Sequence, residues 1–121
     1  MEENIVRRIK LENGLELKIC DESRKIIGDR CLVKCAALID IPTGCIPKDQ
    51  PEAGDIQALL GDSVRFELRR ERNFISEEEK EEVFAALCDF FLDTSLSYLS
   101  HPEFAEKYVW KKYREAVKKR R

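Results

Sequence analysis

The chain has 121 residues, of which 43% are hydrophobic and 38% are charged. This length and composition are typical of one globular domain with its own core, and they argue against disorder of the whole chain. Acidic and basic residues number 24 and 22, so overall charge gives no reason to expect binding of nucleic acid. We therefore predict a single domain over residues 1–121 with no nucleic-acid partner.

The start of the chain, Met1–Asn4, is acidic, whereas a secretory signal begins with positive charge. The fully apolar runs, such as Cys35 to Ile39, are far too short to cross a bilayer. The five cysteines are odd in number and irregularly spaced, which does not suit a disulfide framework. We expect a cytoplasmic protein with reduced thiols and no membrane partner.

The first secondary-structure signal is a hairpin, because apolar residues occupy odd positions on both sides of Asn13-Gly14. A two-residue loop at Asn13-Gly14 would set Leu11 opposite Glu16 and mix apolar with charged side chains on one sheet face. A three-residue loop over 12–14, with Gly14 in the left-handed conformation, instead pairs Leu11 with Leu15. We predict the second arrangement.

Two further strands follow from alternation of apolar and polar residues. Every odd position from Cys31 to Ile41 is apolar, which predicts a long central strand with one buried face. Apolar and charged residues also alternate over 64–69, which predicts another half-buried strand. Residues 42–62 between them hold three of the four prolines and three of the five glycines, which predicts a connection with a short helix at 55–61.

The last third of the chain has helical periodicity. Ser76 with Glu79, and Ser100 with Glu103, are capping-box pairs that predict helices near 77–98 and 101–118. The fold class we predict is α+β: an antiparallel sheet of four to five strands in the N-terminal ~75 residues, covered on one face by two C-terminal helices.

Residues suited to catalysis or metal binding are few. Cys31 and Cys35 fall on one face of a strand about 13 Å apart, too far to share one metal ion. The single histidine, His101, lies between a serine and Pro102 at a predicted helix junction. Cys45, in the 42–62 connection, is the thiol we expect to be most exposed. We predict no catalytic residue, no metal and no cofactor, with an enzyme site in that connection as an alternative.

Arginines are the residues that best suit a ligand site. Arg7, Arg8, Arg65 and Arg69 all fall in the sheet region, and guanidinium groups suit phosphate or carboxylate ligands. Pairing of Arg65 and Arg69 with Glu67, which shares their face, is the competing structural interpretation. An anionic small ligand, such as a nucleotide, is therefore an alternative partner.

The arginine-rich start and the Asp21-Glu22-Ser23 turn resemble parts of the PilZ domain, a small β-barrel. That family binds cyclic di-GMP through an arginine motif and a later Asp-x-Ser-x-x-Gly motif. Here Arg7 and Arg8 lack the gap of the arginine motif, and Gly28 comes two residues later than the second motif requires. The resemblance implies a nucleotide ligand only as an alternative.

The last helix carries the residues that suit an interface. Trp110 lies off the main apolar stripe and close to Tyr113 and Val117, so the helix is either buried on two sides or presents an aromatic patch to a partner. We predict a non-catalytic interaction or regulatory module that self-associates through this helix, with a dimer favoured.

Overall fold

The computed structural model describes residues 4–120, so Met1–Glu3 of the acidic start and Arg121 lie outside the described residues. The elements in chain order are β1 (Ile5–Lys10), β2 (Glu16–Asp21), β3 (Arg24–Ile27), β4 (Arg30–Pro42), α1 (Ala53–Leu60), β5 (Ser63–Ser76), α2 (Lys80–Ser100) and α3 (Phe104–Arg120). All strand pairs are antiparallel. The predicted α+β architecture, a sheet followed by two C-terminal helices, is confirmed.

The long strand β4 is the centre of the sheet, as its odd-numbered apolar positions predict. It pairs with β5 along its whole length and with β2 and β3 on its other side, and β1 lies beyond β2. Val33, Ile39 and Ile41 are fully buried. The alternation predicts β4 correctly because this strand has neighbours on both sides and helices over one face. Its odd-numbered side chains are therefore all shielded from water.

The first hairpin has the predicted turn. The Leu11 N–H donates to the Leu15 carbonyl at 2.8 Å, and Ile9 lies opposite Leu17. Gly14 has a φ of 90°, in the region that favours glycine. The apolar residues at odd positions in both strands therefore predict the loop length correctly.

One face of the sheet, here called the helix face, carries the odd-numbered residues of β4 and the main core. Helix α2 contributes Cys88, Phe91 and Leu99 to this core, and α3 contributes Phe104 and Val109. The opposite face, here called the open face, has a second small cluster formed by Cys20, Ala36 and Leu38, with Ile5 packed against it. Charged side chains surround that cluster, so the open face combines a narrow apolar strip with ion pairs.

Both predicted capping boxes are wrong. Ser76 is the last residue of β5 and lies opposite Arg30, and α2 begins only at Lys80 without a side-chain cap at Glu79. Ser100 is the last residue of α2. Strand pairing holds Ser76 in the sheet, which a local sequence motif does not reveal.

The junction between α2 and α3 is formed by His101, as its position predicts. The N–H of Glu103 donates to His101 Nδ1 at 3.1 Å. The Asn13 side chain donates to the carbonyls of Leu99 at 2.8 Å and of His101 at 3.0 Å. The first hairpin thus satisfies carbonyl groups at the end of α2 that have no partner within the helix.

The 43–62 connection is packed against the rest of the chain. Thr43 N–H donates to the Asp62 carbonyl at 2.9 Å, and Thr43 Oγ1 donates to the Gly61 carbonyl at 2.7 Å. Ile46 and Ile56 are buried in the main core. These contacts close the connection at its base, where β4 ends and β5 begins.

By length and composition alone, α2 would be able to cross a membrane: it has 21 residues and a most apolar stretch of mean hydropathy 1.2. Of that stretch, 17% is buried. Cys88, Phe91 and Leu99 nevertheless pack against the sheet. The absence of a membrane partner and the cytoplasmic location stay predictions.

Candidate functional site

The outer edge of β5 is the longest open strand edge in the part of the chain that the structure describes. β5 has 14 residues and pairs with β4 along one side. Within residues 4–120, no strand pairs with its other side. An open edge of this length presents a row of backbone donors and acceptors to a further strand.

The hydrogen bonds at the two ends of β5 show which backbone groups face outward. Because Thr43 N–H donates to the Asp62 carbonyl, Asp62 faces β4, and the groups that face β4 then alternate along the strand. Near the other end, Lys34 uses its N–H and carbonyl toward Ser23 and Glu22, away from β5. Its opposite residue, Glu71, therefore also turns its backbone outward.

Five residues consequently direct both backbone groups to the open edge: Ser63, Arg65, Glu67, Arg69 and Glu71. The Tyr108 hydroxyl donates to the Arg65 carbonyl at 3.3 Å, which shows directly that this carbonyl points away from β4. A carbonyl has two lone pairs, so this bond leaves room for a second donor. The open edge is available to another strand over most of its length.

The side chains along β5 alternate in charge on the open face, in the order Arg65, Glu67, Arg69, Glu71. Arg65 Nε donates to Asp40 Oδ1 at 2.9 Å. Arg69 donates to Glu22 at 2.8 Å and to Glu67 at 2.9 Å. Glu71 makes no side-chain hydrogen bond or ion pair within the described residues. The charge pairing that competed with a ligand site is therefore present.

These ion pairs keep the carboxylates in their charged form. The hydrogen bond from Arg69 lowers the pKa of Glu22, although partial burial opposes it. The hydrogen bond from Arg65 lowers the pKa of Asp40 in the same way, and Lys18 adds to the effect. The guanidinium groups of Arg65 and Arg69 are thus already matched by carboxylates of the same chain.

The four predicted ligand arginines do not converge on one pocket. Arg7 lies opposite Ile19, on the helix face, whereas Arg8 lies opposite Lys18 on the open face and pairs with Glu16 at 2.8 Å. Arg65 and Arg69 are four positions apart along β5, about 13 Å at the usual strand rise. Ligand binding through these residues stays a prediction.

A β-bulge near the end of β5 was not indicated by the sequence. Cys31 lies opposite Ile75 and Val33 opposite Arg72, so Asn73 and Phe74 together face the single residue Leu32. Phe74 has a φ of 60°, in the left-handed region, and is 60% exposed. A bulky side chain in that conformation is strained, and such strain is often found at functional positions.

Phe74 lines a groove of about 430 Å³ on the open face. The groove is lined by Glu22, Arg24, Ile26, Leu32, Lys34, Glu71, Asn73 and Phe74. Among the residues described, the side chains of Arg24 and Lys34 form no hydrogen bond or ion pair. The groove therefore combines apolar side chains with two cations and two carboxylates, and the charge of Lys34 contributes to the lowered pKa of Glu22.

The predicted interface residues of α3 make contacts within the chain. The Tyr113 hydroxyl donates to Asp55 Oδ2 at 2.5 Å and so joins α3 to α1. The rings of Trp110 and Tyr113 meet edge to face with centroids 5.9 Å apart. Val117 and Tyr113 also line a cavity of about 480 Å³ beside α1. An interface at these residues stays a prediction.

The cysteines are mostly core residues, and Cys45 is the most exposed of them, as predicted. Burial raises the pKa of Cys45 and of Cys88, and burial together with a hydrogen bond to Cys88 raises the pKa of Cys35 to about 12. Within residues 4–120, no group of three or more His, Cys, Asp or Glu side chains is placed to hold a metal ion.

No protein-family model matches the chain, and comparisons with curated proteins and with solved structures found no match. A proposal about function therefore has to rest on the geometry of the chain itself.

Proposed function

We propose that the protein is a non-catalytic interaction module that self-associates, with a dimer as the assembly. The observation that carries this proposal is the open edge of β5, where five residues turn their backbone N–H and C=O groups outward. A second strand added to such an edge supplies hydrogen bonds along its whole length.

The symmetry of the pairing supports a dimer over a larger array. If the β5 strands of two copies pair with each other, the same surface is used twice and the assembly closes. If β5 of one copy paired with β1 of the next copy, an unpaired strand edge would remain at each end of the assembly. Further copies would then add without limit. β1 has only six residues, so this second pairing also offers fewer hydrogen bonds.

The protonation states of the titratable groups support a non-catalytic role. A nucleophilic thiol needs a lowered pKa, whereas burial raises the pKa of Cys35, Cys45 and Cys88. A carboxyl group that acts as a general acid needs a raised pKa, whereas arginines lower the pKa of Glu22 and Asp40. The raised pKa values keep the three thiols protonated at neutral pH, and the lowered pKa values keep the two carboxyl groups ionised.

The test is the molar mass in solution, measured by light scattering over a range of concentrations. We expect the mass to rise from monomer to dimer with concentration. Glu67→Pro removes an outward N–H in the middle of the edge and places a ring in the path of a second strand, so it should shift the mass to monomer. Glu67→Ala, which keeps the N–H and removes only the side-chain charge, is the matched variant and should weaken the dimer less than Glu67→Pro does. A wild-type protein that stays monomeric throughout would overturn the proposal.

The same measurement separates the edge from the helix surface. If Trp110→Ala together with Tyr113→Ala abolishes the dimer while Glu67→Pro leaves it intact, α3 carries the interface. The circular dichroism of each variant must match that of the wild type, because Tyr113 also holds α3 against α1.

A small anionic ligand in the groove beside Phe74 is a second candidate function. One observation favours it: the cations Arg24 and Lys34, which have no ion-pair partner among the described residues, border the apolar side chains of Leu32 and Phe74. The test is a thermal-shift screen with nucleotides. A rise in melting temperature that Arg24→Ala removes and Arg8→Ala preserves would support this function, and a flat screen would count against it.

A further inference from the structure

We infer that two copies of the chain pair through β5 in one register, in which Leu68 lies opposite Leu68 of the second copy. This inference rests on the proposed self-association and specifies its geometry. It follows from three properties of β5: the direction of its backbone groups, the alternation of charge on its open face, and the uncovered arginines on its helix face.

Symmetry limits the registers that two β5 strands are able to adopt. Antiparallel pairing of identical strands about a two-fold axis places each residue opposite another at the same distance from a central residue. Opposite residues then have the same parity, so the outward-facing residues, which all have odd numbers, meet only odd-numbered residues of the second copy. Backbone hydrogen bonding is satisfied in every such register. The contacts between side chains therefore determine which register is most stable.

With Leu68 at the centre, every charged pair on the open face is complementary. Arg65 lies opposite Glu71 of the second copy, and Glu67 lies opposite Arg69 of the second copy. The two-fold axis repeats both pairs. Glu71, whose carboxylate has no ion-pair partner among the residues described, gains one in this arrangement. Opposite charges across a strand pair are stabilising.

The neighbouring registers bring like charges together. With Glu67 at the centre, Glu67 would face its own copy and Arg65 would face Arg69. With Arg69 at the centre, Arg69 would face its own copy and Glu67 would face Glu71. Like charges directly opposite each other are destabilising. Both registers are therefore disfavoured relative to the one centred on Leu68.

The next registers fail for other reasons. With Phe66 at the centre, the overlap shortens to Ser63–Arg69 and loses the pair that Glu71 would form. With Arg70 at the centre, Arg70 would face its own copy on the helix face, which is again a like-charge contact. The charges of β5 thus disfavour three of these five registers, and the longer overlap favours the register centred on Leu68 over the one centred on Phe66.

The helix face is also compatible with the register centred on Leu68. Arg70 and Arg72 are exposed there. In this register they lie opposite Phe66 and Val64 of the second copy, where their aliphatic stems are able to cover apolar side chains. Leu68 meets Leu68 of the second copy at the axis. No like-charge pair arises on either face.

Charge reversal tests the register, with the dimer dissociation constant measured by analytical ultracentrifugation. Glu71→Arg places two like-charge pairs across the axis, so we expect the dimer dissociation constant to rise by about tenfold or more. Adding Arg65→Glu to Glu71→Arg restores complementary pairs and should recover affinity relative to either single variant, although Arg65→Glu also removes the ion pair with Asp40 of the same chain. Glu78→Arg, which makes the same change of net charge away from β5, is the control and should leave the dimer unchanged.

Cross-linking provides a second measurement that does not depend on these affinities. In a Cys45→Ser background, Arg65→Cys and Glu71→Cys are prepared as separate proteins and mixed. The two new thiols lie opposite each other only between unlike chains, and diamide takes up the two electrons released as the disulfide forms. Each variant alone should not cross-link, because its own thiols would be about 20 Å apart across the axis.

The outcomes separate the inference from the proposal beneath it. A monomeric wild type overturns the self-association itself. A wild-type dimer that is unaffected by Glu71→Arg and gives no cross-link in the mixture overturns the register and leaves the self-association standing. A cross-link formed only in the mixture, together with recovery in the double variant, supports the register.

Discussion

The Sγ atoms of Cys35 on β4 and Cys88 on α2 lie 3.4 Å apart in the core. The contact joins the central strand to the longest helix, at a point where both side chains are buried. Burial first, and then the neighbouring thiol, raise the pKa of Cys35 to about 12. The pair therefore remains in the thiol form at neutral pH and acts as part of the core packing.

Thiol labelling at pH 7.5 should distinguish Cys45 from the four buried cysteines. We expect one thiol to react with a disulfide reagent in the folded protein, slowly because its pKa is also raised, and the rest to react only on unfolding. Cys45→Ser should remove the native-state reaction. Fast labelling that persists in this variant would show that at least one of the four buried thiols is accessible.

Asn13→Asp should destabilise the fold. The substitution keeps the side-chain oxygen that accepts from the Leu15 N–H but replaces the amide donor that serves the carbonyls of Leu99 and His101. A carboxylate facing those two oxygens loses both hydrogen bonds, so we expect a loss of about 1–3 kcal/mol in the free energy of unfolding. Urea denaturation measures it, with Glu12→Gln as the neighbouring control. Equal stability would mean that the contact is not maintained in solution.

Phe74→Gly should stabilise the protein despite the loss of a large side chain. Because Phe74 is 60% exposed and has a φ of 60°, glycine relieves backbone strain while little buried contact is lost. We expect a gain of up to about 1 kcal/mol, and a loss for Phe74→Val, since a β-branched residue tolerates this conformation poorly. Thermal denaturation of the two variants should bracket the wild type. A large loss in the glycine variant would mean that the ring packs more tightly than its exposure indicates.

The Glu22–Arg69 ion pair should give a pH-dependent contribution to stability. Because the folded-state pKa of Glu22 is lowered, the contribution is fully present above the unfolded-state pKa, about 4.3, and is lost as the pH falls through the folded-state value. Glu22→Gln should therefore cost about 0.5 kcal/mol at pH 7, as expected for a partly exposed pair, and nothing near pH 2. Glu78→Gln, which breaks no ion pair among the described residues, should show no such trend in urea denaturation. A cost for Glu22→Gln that does not change with pH would argue against the ion pair.

Much of the sheet could be predicted from the sequence because burial on one face leaves a two-residue period. The odd-numbered apolar residues of β4 and the turn at Gly14 are of this kind, and both are confirmed. The helix starts were missed because a Ser-x-x-Glu motif is a local signal, whereas Ser76 is held in the sheet by its pairing with Arg30.

The site was harder to predict, since it depends on which strands become neighbours. The shared face of Arg65, Glu67 and Arg69 follows from parity, but their partners Asp40 and Glu22 come from other strands and require the register. The bulge at Phe74 arises from a mismatch of one residue between β4 and β5. No property of the β5 sequence by itself reveals that mismatch.

The hydrogen bond between Tyr113 and Asp55 joins α3 to α1, the helix inserted between the two longest strands. A nascent chain reaches Tyr113 only after the whole sheet has been synthesised, so α1 is held at first by Ile56 in the core and by the hydrogen bonds of Thr43 at the base of the connection. A chain cut before Tyr113 should therefore keep its sheet but open more often to proteases at the 43–62 connection.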